Sequence, residues 1–105
     1  MRVSMTEINA KDVLKPFRDE IDMLDREIIS LLGRRFEIVD QVGKTKAKHQ
    51  LSPIQPERMQ EVLDIVGNLA TQNNLAPEFV QNIYKMMIEH AHSLEFAYQE
   101  EGEYE

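Results

Sequence analysis

The sequence has no cysteine and no tryptophan, and only four glycines and four prolines among 105 residues. Without cysteine there is neither a disulfide framework nor a thiolate metal site. No run of about 18 apolar residues is present, so no helix is expected to span a membrane. Residues 1–10 lack the apolar core of a secretory signal, and a cytoplasmic location is expected. No glycine-rich phosphate loop and no activated-nucleophile signature occurs. Positive charge is scarce too: 12 Lys and Arg stand against 19 Asp and Glu, a net charge of −7. That balance argues against a nucleic-acid partner, whose binding rests on phosphate neutralisation by cations. What is present, 42% hydrophobic and 30% charged residues, describes one small globular domain.

The placement of charge carries more than its sum. Nine of the 12 cations fall between Lys11 and Lys48, leaving Arg2, Arg58 and Lys85 elsewhere. Residues 99–105 are the reverse, with four acids in seven positions, and are expected as a frayed, solvated tail. The Arg34-Arg35 pair with Lys44, Lys46 and Lys48 is interrupted by Glu37 and Asp40 and has no interleaved aromatics, unlike a nucleic-acid patch.

No stretch alternates in the manner of a strand, and helical periodicity dominates. A first helix is expected from near Asp12, a candidate N-cap, with Pro16 in or near its first turn. Its apolar positions are Phe17, Ile21, Leu24, Ile28 and Leu31, and the rhythm continues through Arg35, Ile38 and Val42 toward His49. Gly33 and Gly43 weaken this helix by about 1 kcal/mol each without ending it. Ser52 and Pro53 break the chain. A second helix then begins near Gln55 or Pro56, with Pro at its first position, Glu57 complementing its dipole and a stripe of Met59, Val62, Leu63, Val66 and Leu69. Asn73 and Asn74 close it. Pro77 opens a third, with a stripe of Phe79, Ile83, Met87, Ala91, Leu94 and Tyr98. The division is a 1–11 extension, a 12–98 helical domain and the 99–105 tail.

The first helix is too long for one small chain to cover. From Asp12 to Lys48 it would run about 55 Å at ~1.5 Å per residue, whereas a compact chain of this size has a radius of gyration of about 13 Å. A second copy is the natural cover, so a homodimer of paired long helices is expected, each chain contributing to the other's site. The competing reading is a helix broken near Gly33 or Gly43 in a monomeric bundle.

Two cations interrupt the apolar rhythm. Arg35 stands where Leu or Ile would fit, and Lys46 lies eleven residues on, close to three turns away on the same face. Val39 and Val42 lie between them. Either cation alone reads as a side chain snorkelling at a helix edge, or paired with Asp40 or with acids of the second helix. Together they suggest a pocket for a small dicarboxylate, and Arg suits bidentate carboxylate binding. Glu95 is the mirror case on the third helix, in line with Tyr84, Ile88 and Ala91. It reads either as a partly buried, proton-bearing hydrogen-bond donor or as the salt-bridge partner of Lys46 or another cation. Glu89 and His92 have the spacing of a di-iron Glu-x-x-His, but a single copy without a supporting Glu pair makes no metal site.

Three sets of residues share an order with a known family. They are Phe17-Arg18 with Ile21-Asp22 and Asp25, then Gly33-Arg34-Arg35 followed eleven residues later by Lys46, then Pro56-Glu57-Arg58. The chain resembles the all-α chorismate mutase family over about residues 14–98. Its length and Pro-Glu-Arg also resemble that family's isochorismate pyruvate lyase branch. The resemblance implies an all-α fold, a three-helix protomer in an intertwined homodimeric bundle with two equivalent sites and no cofactor. By position, Arg18 would enter the partner's site and bind one substrate carboxylate, and Arg35 would bind the other. Lys46 would reach the ether oxygen and a carboxylate, sharing that oxygen with Glu95, and Arg58 would line the pocket. Four positions depart from the family pattern: Glu95 stands for a frequent Gln, Met59 for a hydroxyl-contacting Glu, Gln55 for an Asp and Ala91 for a Ser. A Glu can replace a donating Gln only when protonated, which implies activity favouring lower pH.

The implied reaction is the Claisen rearrangement of chorismate to prephenate, within aromatic amino acid biosynthesis. The alternatives are cleavage of isochorismate to salicylate and pyruvate, or rearrangement of an amino analogue of chorismate. A reading of another class is a non-catalytic helical dimer, which would keep the apolar rhythm but need neither Arg35 nor Lys46.

Overall fold

The computed structural model describes residues 5–102. They form three helices, α1 (Met5–Lys48), α2 (Pro56–Gln72) and α3 (Pro77–Gly102), joined by short loops, with no strand among the described residues. The fold is all-α, as the periodicity predicts. None of the described helices is long and apolar enough to cross a membrane.

α1 begins at Met5, seven residues before the Asp12 start read from the sequence, so Pro16 lies inside the helix and not in its first turn. Proline deletes one donor, here the N–H that would reach the Asp12 carbonyl. It also holds φ near the helical value, so one proline need not reset the helix. α1 runs through Gly33 and Gly43 to Lys48. α3 likewise passes the expected end at Tyr98 and reaches Gly102, so the first part of the acidic stretch is helical. Residues 1–4 of the expected extension and 103–105 of the expected tail lie outside the described residues.

Both interhelical loops start from the same hydrogen-bonded stop. At the end of α1, Leu51 N–H donates to the Lys46 carbonyl at 2.8 Å and Gln50 N–H to Ala47 at 3.2 Å, with Gln50 at φ 58°. At the end of α2, Leu75 N–H donates to Ala70 at 2.8 Å and Asn74 N–H to Thr71 at 3.2 Å, with Asn74 at φ 60°. These are Schellman motifs, which satisfy orphan carbonyls by turning one residue left-handed. Asn tolerates that region better than Gln. α2 then starts with Pro56 at its first position and Glu57 in its first turn, where neither a missing N–H nor a negative charge is costly.

The chain divides into two compact units, Met1–Arg35 and Phe36–Glu105. The first is the N-terminal part of α1. Its stripe residues Phe17, Ile21, Leu24, Ile28 and Leu31 are all 54–60% exposed. The second unit holds the rest of α1 with α2 and α3, and α2 packs against α3. Its buried apolar residues are Val66 and Ala70 on α2 and Ile88 and Ala91 on α3. The buried line on α3 is therefore the one that ends in Glu95, whereas Phe79, Ile83 and Leu94 of the other stripe stay exposed. Small residues explain the choice. Gly67 is buried, and a Cβ there would lie 2.7 Å from Gln81 Nε2, which donates to the Leu63 carbonyl at 3.0 Å.

Candidate active site

Glu95 is the one buried charged residue among the described residues, 4% exposed. A carboxylate out of water is costly unless paired and hydrogen-bonded. Its partner is Lys46, whose Nζ lies 2.7 Å from Oε1 and whose side chain is 17% exposed. Of the two readings the sequence left open for Glu95, the structure shows the ion pair.

The same ammonium donates to the Pro53 carbonyl at 2.8 Å. An ammonium has three protons, so these two bonds leave one for a further acceptor. The carbonyl is positioned by the stop of α1: the chain reverses at Gln50, and Pro53, itself buried, comes back over Lys46. Gln99 of α3 holds the same loop, donating through Nε2 to the Leu51 carbonyl at 3.0 Å. Ser52 Oγ accepts the Ile54 N–H at 3.2 Å, and Gln55 Nε2 donates to the Ser52 carbonyl at 2.9 Å.

α1 and α3 meet closely here because of Gly43. A Cβ on it would lie 2.9 Å from Glu95 Cγ, 3.0 Å from Tyr98 Cδ2 and 3.3 Å from Glu95 Cα. One turn on, the Tyr98 hydroxyl donates to Asp40 Oδ1. Asp40 Oδ2 is 3.2 Å from Lys44 Nζ, which lies 5.5 Å from the centre of the Tyr98 ring. Asp40 thus serves Tyr98 and Lys44.

The other expected site residues are distributed as follows. Ala91 is buried one turn before Glu95 on α3, and Met59 is half-buried on α2. Gln55 is exposed and tied to its own loop. Arg58 is exposed and paired with Glu61 three residues on. Arg18 and Arg35 belong to the first unit, Arg18 exposed and Arg35 half-buried with an interaction partner.

Residues 17–96 match the chorismate mutase type II family. The chain belongs to that family. The T-protein of Haemophilus influenzae is 33% identical over 84 residues, 80% of this chain and 22% of the T-protein. The chain therefore spans about a fifth of that relative's length. Two relatives of similar size to this chain bear other names. The 4-amino-4-deoxychorismate mutase of Streptomyces venezuelae is 30% identical over 84 residues, 80% of this chain and 79% of the relative. The isochorismate pyruvate lyase of Pseudomonas aeruginosa is 32% identical over 75 residues, 71% of this chain and 73% of the relative.

Membership in the chorismate mutase family does not by itself point to the supports of the Lys46–Glu95 pair. Gly43 read as a weak point, Pro53 as a chain breaker, Tyr98 as one more apolar residue, and Asp40 as an interruption of a basic run or a partner of Arg35 or Lys46, whereas Lys46 pairs with Glu95 and Asp40 with Lys44. The available signals were positional: Gly43 stands three before Lys46, and Tyr98 three after Glu95, each on the face of its partner.

Proposed function

We propose that this chain is a chorismate mutase that rearranges chorismate to prephenate. The observation that carries the reading is the Lys46 ammonium, held by Glu95 and the Pro53 carbonyl with one proton to spare. The reaction is intramolecular: the ether C–O bond breaks as a C–C bond forms, with no net proton, electron or group transfer. What a protein supplies is a reactive conformer and a donor for the charge that grows on the ether oxygen. Lys46 is that donor.

In this reading Arg35 binds one carboxylate of the substrate, and Arg18 of a second copy binds the other. Arg58 completes the cationic lining, and Gln55, Met59 and Ala91 face the ring. The 54–60% exposure of the apolar stripe from Phe17 to Leu31 supports the homodimer, since a second copy would bury that face. Glu95 holds the Lys46 ammonium in place through their ion pair. Glu95→Gln, which keeps an acceptor for that ammonium but removes the charge, should lower kcat; an unchanged kcat removes the charge of Glu95 from the positioning of Lys46.

The test is a product assay. Purified protein is incubated with chorismate, 4-amino-4-deoxychorismate and isochorismate. Prephenate from chorismate at the highest kcat/KM is expected. Salicylate and pyruvate from isochorismate as the dominant products would overturn the mutase reading in favour of the lyase. The lyase reading is supported by Met59 at the position where the hydroxyl-binding Glu is expected, and by the lyase relative of similar length. A dicarboxylate transition-state analogue should also raise the melting temperature. No shift and no turnover would leave the non-catalytic helical dimer.

A further inference from the structure

We propose that Asp40 and Tyr98 are positioning residues for the Lys46–Glu95 pair, acting by clasping α3 onto α1. The proposal rests on the reading of Lys46 as the ether-oxygen donor. Three side chains of α3 at relative positions 0, +3 and +4 share one face and take three different partners. Glu95 takes the Lys46 ammonium, Tyr98 the Asp40 carboxylate and Gln99 the Leu51 carbonyl. Their partners lie on the end of α1 and on the loop that returns over Lys46. Gly43 lies between the first two, in contact range of both Glu95 and Tyr98.

The geometry gives each bond a distinct task. The Glu95 bond carries the buried charge, but a carboxylate on three rotatable bonds does not fix its own helix. The Tyr98 bond does, because its rigid ring lies against Gly43 and its hydroxyl reaches past it to Asp40. Lys44 holds the acceptor, bonded to Asp40 Oδ2 and lying over the Tyr98 ring. Without the hydroxyl, α3 keeps its ring packing and loses its register against α1 at this turn. Glu95 is one turn away, so the ammonium it aims is freed by the same slack. Misplacement of a reacting group by about 1 Å can cost on the order of 100-fold in rate, and a partial loosening should cost less.

The experiment pairs two variants with two readouts on the full chain. Nitrogen-15 NMR of the lysine ammonium groups follows exchange of the Lys46 Nζ protons with water, the signal being assigned by its loss in Lys46→Arg. Steady-state kinetics with chorismate gives kcat and KM. In Tyr98→Phe, the Lys46 protons should exchange several-fold faster. The same variant should lower kcat about five- to twentyfold and leave KM within about twofold. Asp40→Leu removes the acceptor of the Tyr98 hydroxyl and should reproduce the effect of Tyr98→Phe in both readouts. Unchanged Lys46 exchange in Tyr98→Phe overturns the proposal. So does an Asp40→Leu variant with wild-type values, since the hydroxyl would then position nothing through Asp40. If the wild-type protein turns over none of the three substrates, the functional reading fails, and ammonium exchange alone decides the clasp.

Discussion

Two stretches of one helix carry the same apolar rhythm and meet different surroundings. Before Arg35, every stripe residue of α1 from Phe17 to Leu31 is more than half exposed. After Phe36, the helix buries Gly43 and places Lys46 against α3. Large side chains at regular spacing mark a face, but they do not say what covers it. Contact in the second stretch is made by the smallest residue and by a charge, because a glycine lets a neighbouring helix approach and a lysine draws in a carboxylate. The stripe of the N-terminal stretch consists of large side chains alone. Its natural complement is another apolar face, and the second stretch is complemented within its own chain.

The strongest way to break this contrast is to charge the exposed stripe. Ile21→Glu with Ile28→Glu should convert a sedimenting dimer to a single chain, with a loss of about 3–6 kcal/mol if both side chains are buried in the dimer. Wild-type protein that sediments as one chain would show that the stripe has no such cover. The second stretch is tested through its charge. Lys46→Ala should lower kcat about 100- to 1,000-fold, roughly 3–4 kcal/mol, and change KM less. Near-normal kcat would remove Lys46 from the mechanism. Because the variant strands the buried Glu95 carboxylate, its rate must be read well below its melting temperature.

Much of this was legible because it rests on local chemistry. The helix starts at Pro56 and Pro77 and the stop after Lys48 follow from missing donors and turn-forming residues within a few positions. Arg35 and Lys46 stood out because a charge in an apolar register contradicts its neighbours. Glu95 stood out in the same way, but its partner lies 49 residues away, and only its register hinted at which cation it would take. Pro16 was misplaced for the opposite reason. Proline is a strong local signal for a helix start, and α1 carries it inside because one missing donor does not end a helix whose φ remains suitable. Gly43 was the least legible, since its local effect is unfavourable and its gain comes entirely from a segment distant in sequence.

That gain has a direct measure. Gly43→Ala places a methyl 2.9 Å from Glu95 Cγ and 3.3 Å from Glu95 Cα. The first atom can swing aside, but the second is backbone, so α3 must move. Overpacking of this kind costs about 1–3 kcal/mol, partly offset by the better helix propensity of alanine. Denaturant unfolding should show a net loss, and a net gain would mean that α3 is not held tightly against α1.

Gly33 gives the smallest effect and the sharpest contrast. Nothing lies within 4 Å of a Cβ built there. Within one chain, Gly33→Ala therefore adds only helix propensity, a stabilisation of up to about 1 kcal/mol. Two glycines ten residues apart on one helix should thus respond to the same substitution with opposite signs. A second copy packed on the N-terminal stretch would change the outcome only where it approaches Gly33 closely. Unfolding measured over a range of protein concentrations separates the cases. A gain at every concentration leaves Gly33 facing open space. A loss that grows as the dimer forms makes Gly33 the counterpart of Gly43, a close approach made between chains and not within one.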